Sequence, residues 1–278
     1  MPHASRAAEE FRRLVEIMAT LRGPGGCPWD REQTIDTLNP FVLEETYEVI
    51  AAIDAHDHGA LCEELGDFVF EAVFVAQLES EAGHFTIADS LKSIADKLVR
   101  RHPHVFARQA GDAPLDSAGQ VRTRWEEIKA RERDGSATPK TLLSGIAPAL
   151  PALLRAYHIG TRAASVGFEW STTHDVVAKI QEEVNELREV IAASGAVDRA
   201  RAEEEMGDLL FSIAQLSRRL GIEPETALRK ADDKFTKRFG ALEQVVADSG
   251  RLMKDMTLGE LEAEWQRLKS AGSEQPAD

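Results

Sequence analysis

Two stretches of the chain concentrate acidic side chains at helical spacing: Glu182, Glu183 and Glu186 in QEEVNELREV, then Glu205 and Asp208 in EEEMGDLLFSIAQL. Residues three or four apart share a helix face, so Glu183 with Glu186, and Glu205 with Asp208, each form one acidic edge. Carboxylates that converge repel unless a cation sits among them, and an all-oxygen set suits a hard ion such as Mg²⁺ or Mn²⁺ far better than zinc. Downstream, Lys234 and Arg238 are four residues apart on one face, a pairing that can hold the outer phosphates of a nucleotide while a metal holds the inner ones. Lys179 adds a cation one turn before Glu183, and Trp265, in LEAEWQRLKS, carries a ring suited to stacking on a base or to ordinary packing. A single acidic helix face is more often solvated surface than a site. The second occurrence of the pattern is what raises its weight.

That second occurrence lies upstream. Glu44, Glu45 and Glu48 in LEETYEVI match Glu182, Glu183 and Glu186; Glu64 and Asp67 match Glu205 and Asp208; Lys97 and Arg101 match Lys234 and Arg238. Trp29 and Trp125 keep step with Trp170 and Trp265, and all these offsets fall between 137 and 141 residues. The chain therefore reads as a tandem duplication, with copies over about residues 25–130 and 166–270. Pro139, Pro148 and Pro151 mark the stretch between, giving an N-terminal domain at 1–133, a linker at 134–150 and a C-terminal domain at 151–278. The copies differ at one telling position: where the second has Lys179, the first has Phe41.

The elements that must position these groups are helices. No sustained period-two alternation is present, whereas Val177, Ile180, Val184, Leu187 and Ile191 define one apolar seam and Met206, Leu209, Ile213, Leu216 and Leu220 another. Thr172 with Asp175 and Thr257 with Glu260 have capping-box spacing, Pro224 suits a first helical position, and His102-Pro103 ends the helix of Lys97. Helices joined by a short loop pack antiparallel, and the four acids of the second copy flank their seams on the same side. The midpoints of Glu183 with Asp208 and of Glu186 with Glu205 both fall beside Gly195; those of Glu45 with Asp67 and of Glu48 with Glu64 fall at His56 in AHDHG. Gly59 and Gly195 are accordingly expected to interrupt the helix pairs, and four carboxylates to meet at one level. Beyond Asp208 the acidic edge continues through Ser212, Gln215 and Arg219, a polar stripe of the kind a solvated face would carry.

At 278 residues and 43% apolar content the chain has ample material for two domain cores. Its formal charge of −15 argues against a nucleic-acid partner. Cys27 and Cys62 have no zinc-ligand spacing and fit a reducing, cytoplasmic setting. The first residues lack the continuous apolar core of a secretory signal, and the longest apolar stretch, FVFEAVFVAQL, is too short to span a bilayer.

The doubled pattern E-E-x-x-E, E-x-x-D and K-x-x-x-R, together with GGCPWDREQT near the start, resembles the MazG-type nucleoside triphosphate pyrophosphohydrolases over nearly the whole chain. That resemblance implies an all-α fold of two tandem helical bundles, a homodimer, and Mg²⁺-dependent cleavage of a nucleoside triphosphate to monophosphate and pyrophosphate, as a nucleotide-pool housecleaning duty. Carried onto this sequence, it makes Glu183, Glu186, Glu205 and Asp208 the metal ligands, Lys179, Lys234, Arg238 and Trp265 the nucleotide contacts, and the C-terminal copy the catalytic one. Glu182, turned about 100° from Glu183 on the helix, is the candidate to orient or deprotonate the attacking water. Two alternatives stand beside this: a carboxylate-bridged dimetal bundle, which typically uses Glu-x-x-His, and a non-catalytic helical interaction module.

Overall fold

The computed structural model describes residues 2–107, 117, 119–121, 124, 128, 141–192 and 197–272. Every regular element among them is helical, as the sequence predicts, and the chain divides into two units, Met1–Glu132 and Arg133–Asp278. Trp125, Gly195 and residues 134–140 of the expected linker lie outside the described residues.

The first unit contains α1 (Pro2–Arg22), α2 (Pro28–Glu32), α3 (Ile35–Asp54), α4 (His58–Glu81), α5 (Ile87–Arg101) and α6 (Pro103–Phe106). Helices α3 and α4 pack as a pair, with α1 laid against α4. Their shared core is Met18, Leu38, Val73, Phe74 and Leu78, with Phe41 packed at its margin. Arg22 locks the loop before α3: its guanidinium pairs with Glu81 at 2.6 Å, donates to the Asp30 carbonyl, and lies 5.7 Å from the Phe74 ring centroid. The turn between α3 and α4 differs from expectation. Gly59 sits inside the first turn of α4, and His56 instead takes the left-handed conformation, at φ 54°. The Asp57 side chain then caps α4 by accepting from the Gly59 and Ala60 amides.

The second unit contains α7 (Ala152–Ala164), α8 (Thr173–Ala192), α9 (Arg199–Arg219), α10 (Pro224–Asp248), a 3-10 turn (Met253–Asp255) and α11 (Leu258–Gly272). Helices α8 and α9 repeat the α3–α4 pairing, α7 packs on α9, and α10 packs on α11. Arg162 of α7 donates to the Leu142 and Ser144 carbonyls, which ties the last residues of the expected linker to this unit. The predicted boundaries hold where α5 stops before His102-Pro103 and α10 begins at Pro224. Thr172 and Asp175 exchange the two hydrogen bonds of a capping box, at 2.7 and 3.2 Å. Sequence reading passed over similar boxes at Thr34 with Thr37 and Thr86 with Asp89.

Burial corrects two readings. On α8 the buried line runs through Val176, Glu183 and Val190, while Val177 and Ile191 of the expected seam are exposed. On α9 the buried residues are Ser212, Ala214 and Gln215, so the polar stripe beyond Asp208 is no solvated face. The reason is α7. Gln215 is fully buried because its amide donates to the Ala156 carbonyl at 2.9 Å and its Oε1 accepts from Arg218. Arg218 and Arg219 in turn pair with Glu169, and Arg219 donates to the Trp170 carbonyl.

Gly160 makes that approach possible. A Cβ there would lie 1.6 Å from Gln215 Oε1. Gly160→Ala is therefore expected to destabilise the protein by about 1–2 kcal/mol, the scale of overpacking, seen as a lower urea midpoint. Combined with Gln215→Ala, it should cost less than the two single losses together, because the clashing partner is gone.

Helix α11 starts from the predicted Thr257–Glu260 box. The Thr257 amide donates to Glu260 at 2.8 Å, the Glu260 amide returns the bond to Thr257 Oγ1 at 3.3 Å, and Arg251 pairs with the same carboxylate at 2.5 Å. These bonds, the Thr257 amide first, hold the Glu260 carboxyl down at about 2, against an ordinary value of 4.5. A depressed carboxyl contributes stability that is complete above its unfolded value and fades as pH falls towards its folded one. The stability gap between wild type and Glu260→Gln should thus be flat above pH 4.5 and narrow progressively below it, measured by urea unfolding across a pH series.

Candidate functional site

Glu183 and Glu186 point from α8 towards Glu205 on α9, and each of the three offers a carboxylate oxygen within 4.8 Å of the others. Four acids were expected; the structure gathers three, and exposed Asp208 lies outside the set. Asp208 is exposed although it lies one turn before buried Ser212 on the same stripe of α9. Glu183 is the most enclosed, at 3% exposure, and Glu186 and Glu205 are half-buried.

Two cations steady the set. Lys179 bridges Glu182 at 2.8 Å and Glu183 at 2.7 Å, and these hydrogen bonds, Glu182 first, raise the ammonium well above its ordinary range. Arg201 reaches Glu205 at 3.6 Å from one turn earlier on α9, a contact its i−4 position could have disclosed in the sequence. Even so, Glu186 stays pushed up, by desolvation first and then by the Glu205 and Glu183 carboxylates. A cluster of oxygens whose mutual repulsion raises a carboxyl, with one member almost wholly enclosed, fits a hard divalent cation. Neither carboxylate set among the described residues includes the histidine that a dimetal bundle typically uses.

The expected nucleotide contacts form two groups. Lys179 belongs with the acids. Arg238 of α10 instead stacks over Trp265 of α11, 5.2 Å from its centroid, with Phe235 packed 5.2 Å from the same ring and stacked on Phe239. Trp265 therefore packs and presents a ring at once. Lys234 is exposed on α10, and among the described residues no ion pair links Lys234 or Arg238 to the carboxylates.

The first copy repeats the arrangement with Glu45, Glu48 and Glu64, again within 4.8 Å of one another. Its neighbours differ. Phe41 replaces Lys179 and packs edge-on to Trp29 at 5.7 Å. Sequence reading also missed Glu71, one turn beyond Asp67 on the same face of α4 and buried.

Comparison with known proteins agrees with the duplicated geometry. The family described as the MazG nucleotide pyrophosphohydrolase domain matches twice, at residues 33–106 and 171–240. The nucleoside triphosphate pyrophosphohydrolase of Escherichia coli K12 is 47% identical over 261 residues, covering 94% of this chain and 97% of its own. The nucleoside triphosphate pyrophosphohydrolase/pyrophosphatase MazG of Thermotoga maritima is 43% identical, over 93% of this chain and 95% of its own. With both helix pairs matched and such relatives aligned nearly end to end, the chain belongs to the MazG nucleotide pyrophosphohydrolase family of enzymes and carries its domain twice.

Proposed function

We propose that the C-terminal repeat hydrolyses nucleoside triphosphates to monophosphate and pyrophosphate, with Mg²⁺, or Mn²⁺ in its place, held by Glu183, Glu186 and Glu205. The observation that carries this reading is the convergence of these three carboxylates from two helices around enclosed Glu183. The names of relatives aligned over nearly the whole chain support the substrate class. A cation bound there supplies charge neutralisation and polarisation of the α-phosphate oxygens.

The chain's own residues do the rest. Lys179 fixes the Glu183 carboxylate before substrate arrives, so little reorganisation is left for the reaction. Glu182 is exposed and bonds Lys179 through one oxygen, leaving the other to accept the proton of the attacking water. The water oxygen then bonds to the α-phosphorus as the α-phosphorus to bridging-oxygen bond breaks, and the electron pair departs with pyrophosphate. Lys234 and Arg238 neutralise that leaving group, and Trp265, already packed by Arg238, offers its ring to the base. Asp208, exposed and outside the converging set, would be the fourth ligand on turning towards a bound ion.

The exposed apolar side chains of α9, namely Met206, Leu210, Phe211 and Ile213, support a homodimer. No described helix is long and apolar enough to cross a membrane, which is consistent with the cytoplasmic housecleaning setting we assign. Incubation of the protein with a panel of nucleoside triphosphates and Mg²⁺ should release pyrophosphate and monophosphate in equal amounts, and chelation should stop it. Release of orthophosphate and diphosphate instead would exclude attack at the α-phosphorus. Light scattering should give twice the chain mass of 30.6 kDa.

A further inference from the structure

The two repeats hold their helix pairs together by different means. In the first, the fully buried residues of α3 and α4 include Leu38, Val73, Phe74 and Leu78. In the second, among the described residues, α8 and α9 bury only two valines, an alanine, Glu183, Ser212 and Gln215. The exchange runs position for position: Phe74 is matched by Gln215, Gln77 by Arg218, Leu78 by Arg219 and Pro28 by Glu169, each 141 residues on. So thin an apolar seam does little to fix how far one helix slides along the other.

What crosses from α9 to the start of α8 is polar and directional. Arg218 pairs with Glu169 at 2.5 Å, and Arg219 with the same carboxylate at 3.3 Å. Arg219 also donates to the Trp170 carbonyl at 2.8 Å, and the Trp170 amide donates to Glu169 at 3.0 Å. Gln215 accepts from Arg218 and donates to Ala156, which ties the group to α7. All three charged side chains are largely enclosed. Enclosed ion pairs add little net stability over apolar packing, and their best-attested use is to fix register. The register fixed here is that of the acids. The midpoint of Trp170 and Arg219 falls beside position 195, where those of Glu183 with Asp208 and of Glu186 with Glu205 also fall. A slip of one residue would carry Glu205 about 1.5 Å past its partners on α8, in a set whose oxygens lie within 4.8 Å of one another.

We propose that Glu169, Arg218 and Arg219 are positioning residues for the reaction, a register key that holds Glu183 and Glu186 of α8 opposite Glu205 of α9. They act through the carboxylates and need no contact with substrate. This role rests on the reading of Glu183, Glu186 and Glu205 as the reaction centre.

Removing all three charges together leaves none buried alone, so the test is Glu169→Met, Arg218→Met and Arg219→Leu combined in the full chain. The triple variant should melt close to wild type. Its kcat should nevertheless fall about 10²-fold, the scale of a misplacement of roughly 1 Å. KM should change far less, because Lys234, Arg238 and Trp265 stand on α10 and α11. A readout free of turnover comes from nitroxides placed by Glu189→Cys and Glu203→Cys, exposed positions near the acids, in a chain carrying Cys27→Ser and Cys62→Ser. In chelator, their dipolar broadening should report one distance with the triad intact and a spread of distances in the triple variant. Glu169→Gln, which keeps the shape and an acceptor oxygen, should show the same changes to a smaller degree, and it decides the matter if the triple variant does not fold. An unchanged distance overturns the proposal, and so does an unchanged kcat; a lower melting temperature with both untouched would mark the triad as structural. If the wild type itself released no pyrophosphate, the assigned reaction would fall, and the distances would still decide whether the triad sets the register.

Discussion

Replacing Glu183 by Gln is expected to lower kcat for nucleoside triphosphate hydrolysis by about 10²–10³-fold, the scale reported for removing one preorganised charge-stabilising group. Glu183 is the only member of its set that is fully buried, it lies on the buried line between Val176 and Val190, and it receives Lys179 at 2.7 Å. Gln fills the same volume and can still accept from the ammonium, so packing changes little. What is lost is the negative charge at the centre of the oxygen cluster. The mutant should therefore retain helical circular dichroism and a melting temperature close to wild type in chelator, while the Mg²⁺ concentration for half-maximal rate rises. A variant that turns over at the wild-type rate would show that the reaction is centred elsewhere. Loss of helicity along with activity would instead mark Glu183 as structural, and comparison in chelator separates the two.

Much of this site was legible in the sequence because duplication supplies an internal check. An acidic face seen once is ambiguous; the same face at the same register, with midpoints in the turn, points to convergence. His56 shows how literally that holds, since the midpoint residue is the one that adopts the left-handed turn conformation. Capping boxes at Thr172 and Thr257 were readable for a different reason: their hydrogen bonds are local and depend only on residues three apart. What escaped was set by tertiary packing. The polar stripe of Ser212, Gln215 and Arg219 looks solvated from α9 alone, and only the approach of α7 at Gly160 supplies the partners that make it buried. Nor does helical spacing within one element show that Asp208 is exposed and Glu71 buried.

The comparison of copies also explains why Lys179 matters beyond contact with a nucleotide. It is the group that lets Glu183 be buried as an anion without a metal, and Phe41 at the matching position leaves Glu45 with an orphaned oxygen. Lys179→Met should accordingly convert the second site towards the character of the first. Stripping one partner from a buried ion pair costs about 3–5 kcal/mol. Here Lys179 is 36% exposed and Glu182 more so, so water screens part of the interaction and the expected loss in chelator is nearer about 2–3 kcal/mol. Saturating Mg²⁺ should return most of it, because the ion neutralises the same carboxylates. The melting-temperature increment on adding Mg²⁺ should thus be larger in Lys179→Met than in wild type. The pH response should change as well. The raised Lys179 ammonium contributes stability that is complete below its unfolded value of 10.5 and fades as pH climbs through the folded one. Wild type in chelator should lose stability in that alkaline range, and Lys179→Met should lack that component of the loss. Equal Mg²⁺ increments in the two proteins would mean that Lys179 and the metal do not share carboxylates, and the assignment of Glu183 to the ion would fall with it.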